Sequence, residues 1–275
     1  MRLNQARLAL GSPRQSGVGL AVGWRMDVVA AALGALAAAA LPPFYVLPAL
    51  LVSVPGLLTL LRAVPRSRSA FRIGFWYGFG LHVFGLYWIT DAILLRAAEY
   101  WWFVPIAVPG LSALLAVFIA VPCVAAWYAA PGWQRALVLA GMWALADIAR
   151  QYVLSGFPWN PWASVWAMPG ALGNVFLQPL AWIGTPGMTF LTVLLAAMPT
   201  LGLPGWGIGA AGLVLWAGLG AWRLGWPAAP APGVKVVLVQ GDIAESAKWS
   251  RDLAVSIFRR YLALTREGVA AAARS

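Results

Sequence analysis

Residues 103–128 carry no charged side chain, and a run of that length leaves few ways to fold. About 20 largely apolar residues in helical form cross the roughly 30 Å hydrocarbon core of a bilayer. Six further stretches are predominantly apolar: 28–41, 45–61, 73–95, 135–154, 180–200 and 208–222. The chain is 62% apolar and 10% charged, against roughly 45–50% and 25% in soluble domains. The fold class expected is therefore mainly α, a polytopic membrane helical bundle of about seven spans. Four parts follow: a basic arm over 1–27, the bundle over 28–226, a Pro- and Gly-rich linker over 227–233, and the start of a second domain over 234–275.

The placement of arginine sets the expected orientation. Arg2, Arg7, Arg14 and Arg25 precede the first span, Arg62, Arg66, Arg68 and Arg72 join the second to the third, and Arg135 stands between the fourth and fifth. The intervening loops are uncharged or mixed. Lys and Arg excess marks the cytoplasmic side, so the amino terminus is expected inside. Seven crossings then carry residues after about 226 to the outer face, the periplasm of a bacterium with an outer membrane. The net charge of +11 is read as membrane anchoring, not as a nucleic-acid surface. The first 25 residues have no apolar core with a small-residue cleavage site, so a basic cytoplasmic arm is expected there and not a cleaved signal. One cysteine, Cys123, permits no intrachain disulfide.

Residues 234–239 are a short Val-rich run stopped by Gly241-Asp242. The run is too short for a helix and rich in β-branched side chains, so it predicts a buried strand. Beyond it, Leu253, Ile257, Tyr261 and Leu264 fall on one side of an amphipathic helix that expects a sheet to pack on.

Within the bundle, the loop 155–178 is uncharged and holds Trp159, Trp162 and Trp166, while Pro158 and Pro161 forbid a regular helix. Loop backbone does not face lipid bare, so this segment lies on protein or at the interface. It is either part of an ordinary aromatic belt or a rigid aromatic surface that grips acyl chains. Asp147 and Arg150, three apart, share a helix face and pair either structurally or in support of a site. His82 reads as a hydrogen-bonded packing residue before a proton carrier. Gly74, Gly78, Gly80 and Gly85 allow close helix contact. Cys123 has no neighbour in sequence to lower its pKa as a nucleophile requires. Metal-ligand spacing, a phosphate-binding glycine loop and a serine elbow are all missing from the sequence, and no cofactor is implied.

Four segments together resemble the apolipoprotein N-acyltransferase family, bacterial membrane enzymes that complete lipoprotein maturation. Gly74-Phe75-Trp76-Tyr77-Gly78-Phe79-Gly80 with Gly85-Leu86-Tyr87-Trp88-Ile89 is similar to that family's third helix. Asp147 to Arg150 with Ser155-Gly156-Phe157-Pro158-Trp159 is similar to its acidic-x-x-Arg stretch and Thr-Gly-Phe-Pro-Trp loop. Trp182-Ile183-Gly184 to Phe190 resembles the start of its sixth helix. Leu238-Val239-Gln240-Gly241-Asp242-Ile243, with Lys248-Trp249 and then Arg260-Tyr261-Leu262 to Thr265, resembles the opening of its α/β nitrilase-like domain. The likeness runs over nearly all of the chain from about residue 28.

The resemblance implies transfer of an acyl chain from a phospholipid, phosphatidylethanolamine, to the N-terminal diacylglyceryl-cysteine of a lipoprotein. The donor ester is attacked by a Cys thiol deprotonated by a Glu, a Lys steadies the oxyanion, and the thioester then acylates the free amine. It also implies that Trp249, Gly156, Phe157, Pro158 and Trp159 meet substrate and that Asp147 and Arg150 support them. Ser155 stands where Thr is usual and Asp147 where Glu is usual. The catalytic Glu, Lys and Cys, and a last span, are expected beyond Ser275, so the 275 residues alone are expected to be inactive. The alternative is a non-enzymatic membrane scaffold or lipid-binding remnant. A transporter is disfavoured, because no internal repeat with paired broken helices is present.

Overall fold

The computed structural model describes residues 23–153, 156–227, 236–248 and 250–274. It divides into two compact units, Met1–Gly225 and Trp226–Ser275.

The first unit is a helical bundle. Helix α1 (Gly23–Ala38) leads through a 3-10 turn at Leu47–Ala49 into α2 (Leu50–Ala63), followed by α3 (Ser67–Gly85). Two short helices, α4 (Ile89–Leu94) and α5 (Ala97–Tyr100), precede the long α6 (Val104–Tyr128) and α7 (Trp133–Arg150). A loop and the short α8 (Ala171–Leu177) then lead to α9 (Leu180–Ala197) and α10 (Gly202–Leu224). The seven apolar segments read from the sequence lie mostly on these helices, with 73–95 divided between α3 and α4 and 45–61 entering α2 through the 3-10 turn. Two helical stretches, Ala97–Tyr128 and Leu180–Leu224, are long and apolar enough to cross a membrane. The expected third span stops early, because α3 ends at Gly85 and the chain turns through Leu86 before α4. Helix α9 is bent at Gly184, whose φ of 63° leaves the helical region just ahead of Pro186.

Helix α3 lies between α1 and α6, while α7 packs on α6 and α9. The glycines of α3 make this possible. A Cβ at Gly74 would stand 2.7 Å from the Cys123 Cβ, and one at Gly78 would stand 2.9 Å from the Ala116 Cα, both on α6. On the opposite side, Gly80 abuts the Ala31 carbonyl oxygen and Gly34 of α1 abuts the Tyr77 carbonyl oxygen. Gly80→Ala therefore sets a methyl against backbone that has no rotamer to escape into. The expected loss is about 1–3 kcal/mol, read from unfolding of the detergent-solubilised chain. Gly110→Ala, whose Cβ would meet nothing within 4 Å, is the control and should cost nothing.

Hydrogen bonds add direction to this packing. Ser53 Oγ lies 2.6 Å from the Leu33 carbonyl and 2.6 Å from Tyr77 Oη. The carbonyl only accepts, so Ser53 donates to it and receives the Tyr77 hydroxyl proton, linking α1, α2 and α3. Arg135, expected as a loop anchor, is buried and turns inward. Its guanidinium donates to the carbonyls of Ala129 and Trp127 at 3.0–3.3 Å. These are carbonyls that the end of α6 leaves without helical partners. The core centres on Trp143, Tyr77, Ile73, Leu57 and Leu61, all at most 1% exposed.

The second unit contains α11 (Glu245–Lys248) and α12 (Ala254–Arg274). The expected strand over 234–239 falls partly outside the described residues. Its described part forms no ladder, and no strand occurs among the described residues. A strand is held by hydrogen bonds to a neighbouring strand, and none is present here. The period-two pattern survives nonetheless. Val237 and Val239 are half-buried and Gly241 is buried, while Val236, Leu238 and Gln240 are exposed. Val237 meets Gly268, and Tyr261 meets Gly241. Of the expected face, Ile257 and Leu264 are half-buried and Tyr261 reaches Gly241, while Leu253 precedes α12 and is exposed.

Candidate functional site

Helix α7 presents Asp147 and Arg150 on one face, and both side chains are buried. Arg150 Nη2 donates to Asp147 Oδ1. The other carboxylate oxygen accepts the Thr189 hydroxyl of α9 at 2.8 Å. Arg150 Nη1 lies 3.4 Å from His82 Nε2, and His82 Nδ1 lies 2.7 Å from the Gly78 carbonyl within α3. Because that carbonyl only accepts, Nδ1 carries the proton and Nε2 receives the arginine's. His82 is thus a neutral acceptor, and one network joins α3, α7 and α9. Among the described residues this is the ion pair with both partners buried. The pairing of Asp147 with Arg150 follows from their spacing. Thr189, 42 positions from Asp147, carries no local signal that could have identified it.

A few residues beyond α7 runs the loop 156–166. Gly156 at φ 70° and Asn160 at φ 45° occupy the left-handed region, which turns the chain back toward the bundle. The Asn160 side chain packs on Gly85 of α3, where an added Cβ would lie 2.5 Å from Nδ2. The loop then divides into two halves. Phe157 and Pro158 are exposed and Trp159 is half-buried. Trp159 packs on Phe157 at 4.5 Å and on Trp88 at 6.4 Å between ring centroids. Trp162 and Trp166, by contrast, are buried. Trp162 meets Trp143 at 5.8 Å. Trp166 donates to Thr192 Oγ at 2.8 Å and lies 4.7 Å from Trp216. So only the first half of the loop forms an aromatic rim, while the second is a wedge that fixes it to the core. Phe44 and Tyr87, 6.4 Å apart and both exposed, add a second aromatic pair.

The structure brings Gly156, Phe157, Pro158 and Trp159 together at the rim and sets Asp147 and Arg150 in the core. Trp249 and Ser155 lie outside the described residues. Cys123 is buried in the contact with Gly74 of α3. Among the described residues, no three His, Cys, Asp or Glu side chains gather in a metal-binding group.

A helical bundle with two membrane-length apolar helical stretches and an aromatic loop defines a protein of the membrane-associated helical class. The family model described as apolipoprotein N-acyltransferase N-terminal domain matches residues 33–198. Curated apolipoprotein N-acyltransferases are similar over most of the chain. That of Allorhizobium ampelinum is 37% identical over 265 residues, covering 90% of this chain and 49% of its own length. That of Brucella suis is 37% identical over 273 residues, with the same coverage. That of Caulobacter vibrioides is 36% identical over 259 residues, covering 90% of this chain and 48% of its own. The chain belongs to the apolipoprotein N-acyltransferase family. It spans about half the length of the curated relatives it matches. Bacterial relatives of a membrane enzyme and the two apolar stretches together point to a membrane location.

Proposed function

We propose that this chain forms the membrane body of an enzyme that transfers a phospholipid acyl chain to the N-terminal diacylglyceryl-cysteine of lipoproteins. The observation that carries the proposal is 37% identity over 90% of the chain to a relative of that name. In this reading the bundle crosses the bacterial inner membrane seven times with its amino terminus in the cytoplasm. Residues after about 226 are periplasmic and open a nitrilase-like domain. Phosphatidylethanolamine is the donor, and the reaction passes through a Cys thioester whose Glu, Lys and Cys are not among these 275 residues. The rim of Gly156, Phe157, Pro158 and Trp159, with Trp249, meets the lipid substrates. Asp147 and Arg150 hold the rim by fixing the helix from which its loop departs.

The test is acylation of a diacylated lipopeptide, read by mass spectrometry. The 275-residue chain alone is expected to transfer nothing and to form no thioester. Joined to the carboxyl-terminal half of the Allorhizobium ampelinum relative, it is expected to restore transfer. A chain that acylates unaided would overturn the assignment of the nucleophile. A folded but inactive chimera beside an active parent would overturn the assignment of the bundle.

A further inference from the structure

Helix α12 carries two apolar stripes, and one of them is left uncovered by the described residues of the second unit. In the covered stripe, Ile257, Leu264 and Gly268 are half-buried and Tyr261 reaches Gly241. Successive residues of an α-helix step by about 100°. Val255, Phe258, Leu262 and Val269 therefore fall within roughly 60° of one another, about a third of a turn from the covered stripe. Phe258 is 62% exposed and Val255 59%, and Leu262 and Val269 are exposed with them. Scattered exposed apolar residues are ordinary on a protein surface, whereas an aligned row marks a contact surface. Arg259 and Arg266 border this row on one side, while Glu267, the acid of α12, lies on the opposite face. The ion pairs among the described residues are made by Arg72, Arg96 and Arg150, so none uses an α12 arginine.

Charge and chain length both point to what meets this row. A basic amphipathic helix of low net hydrophobicity lies in the plane of a membrane interface. Its apolar side chains enter the boundary between headgroups and chains, and arginine stems lie along that boundary with their charges toward the anionic surface. The tether supplies the second argument. Helix α10 closes the Leu180–Leu224 apolar stretch, and residues 225–235 reach at most roughly 40 Å. Val237 meets Gly268 of α12, so the row is held at high effective concentration near the surface from which α10 emerges. A second copy of the chain fits less well, because a two-fold contact sets Arg259 and Arg266 against their own counterparts. We infer that the face of Val255, Phe258, Leu262 and Val269 is an interfacial anchor that seats the second unit on the bilayer surface. The inference rests on the membrane-embedded reading of α9 and α10, and not on acyl transfer or on the binding of any substrate.

The experiment is nitroxide accessibility, read by electron paramagnetic resonance on the full chain in nanodiscs of phosphatidylcholine with phosphatidylglycerol. Single labels enter through Val255→Cys, Val269→Cys, Ala263→Cys and Ala271→Cys in a Cys123→Ala background. Val117→Cys, on an exposed face of α6, is the control for insertion of the bundle. The labels at Val255 and Val269 are expected to be several-fold more accessible to dissolved oxygen than to a water-soluble nickel chelate, and those at Ala263 and Ala271 the reverse. Phe258→Ser with Leu262→Ser is expected to return the first two labels to the aqueous pattern. Should that variant fail to fold by circular dichroism, Arg259→Gln with Arg266→Gln tests the same point, with a smaller loss of oxygen preference expected. An aqueous pattern at all four α12 positions overturns the anchor. Shielding of the Val255 and Val269 labels from both reagents also overturns it and shows that protein covers the face, a second copy being recognised by spin–spin broadening. An aqueous pattern at Val117→Cys as well shows that the bundle is not embedded, so the membrane reading fails and the anchor with it, which is a distinguishable result.

Discussion

Asp147→Ala is expected to destabilise the bundle by about 3–5 kcal/mol, because breaking a buried ion pair from one side leaves an uncompensated charge in the interior. Asp147 accepts from both Arg150 and Thr189, so the substitution also strands a hydroxyl and a guanidinium arm. Reversible unfolding of the purified chain in mixed micelles reads the loss. Asp147→Asn keeps the shape and one acceptor and should lose less. The double variant Asp147→Ala with Arg150→Met removes both charges and should recover a large part of the stability, since apolar replacements of buried pairs are often neutral. A single Asp147→Ala within 1 kcal/mol of the parent would mean that the arginine finds water or lipid phosphate instead, and would place the pair outside the closed core.

Trp143→Ala should be comparably severe. Trp143 is 1% exposed and stands edge-on between Tyr77 of α3, at 6.1 Å, and Trp162 of the loop, at 5.8 Å. Truncating a buried tryptophan costs about 3–5 kcal/mol, part of it from aromatic pairs worth about 0.5–1.5 kcal/mol each. The cavity would open on the side that holds the loop, so limited proteolysis of 156–166 should accelerate together with global unfolding. Trp143→Phe keeps most of the volume and is expected to cost under about 1.5 kcal/mol. If the alanine variant unfolds more easily while the loop stays as resistant as in the parent, Trp162 is not what holds the rim down.

Local chemistry made much of this legible in the sequence. The seven apolar segments fall largely on helices because a long apolar run satisfies its backbone in lipid in helical form, while 73–95 is broken between α3 and α4. The helix-facing glycines of α3 and the pairing of Asp147 with Arg150 follow from spacings of three and four. Long-range partners were not legible. Neither Thr189 nor the acceptor role of His82 toward Arg150 leaves any mark in the residues around them. The loop read as one aromatic surface, since Trp159, Trp162 and Trp166 are alike in composition. Only tertiary context sends the last two into the core. Arg135 carried the charge of a loop anchor, while its actual partners are the carbonyls where α6 runs out. Residues 236–240 kept the alternation of a strand without the neighbour that would make them one.

The contact of α1 with α3 has a mechanical consequence. Gly34 meets the Tyr77 carbonyl and Gly80 meets the Ala31 carbonyl, so main chain rests on main chain in both directions. Side chains yield by changing rotamer, whereas peptide planes at van der Waals distance have no such compliance. These two helices behave as one stiff beam, and Ser53 rivets α2 to it through the Leu33 carbonyl and the Tyr77 hydroxyl. Displacement of the Phe44–Tyr87 pair beyond its end is then taken up by bending in the segments 39–46 and 86–88, outside the two helices.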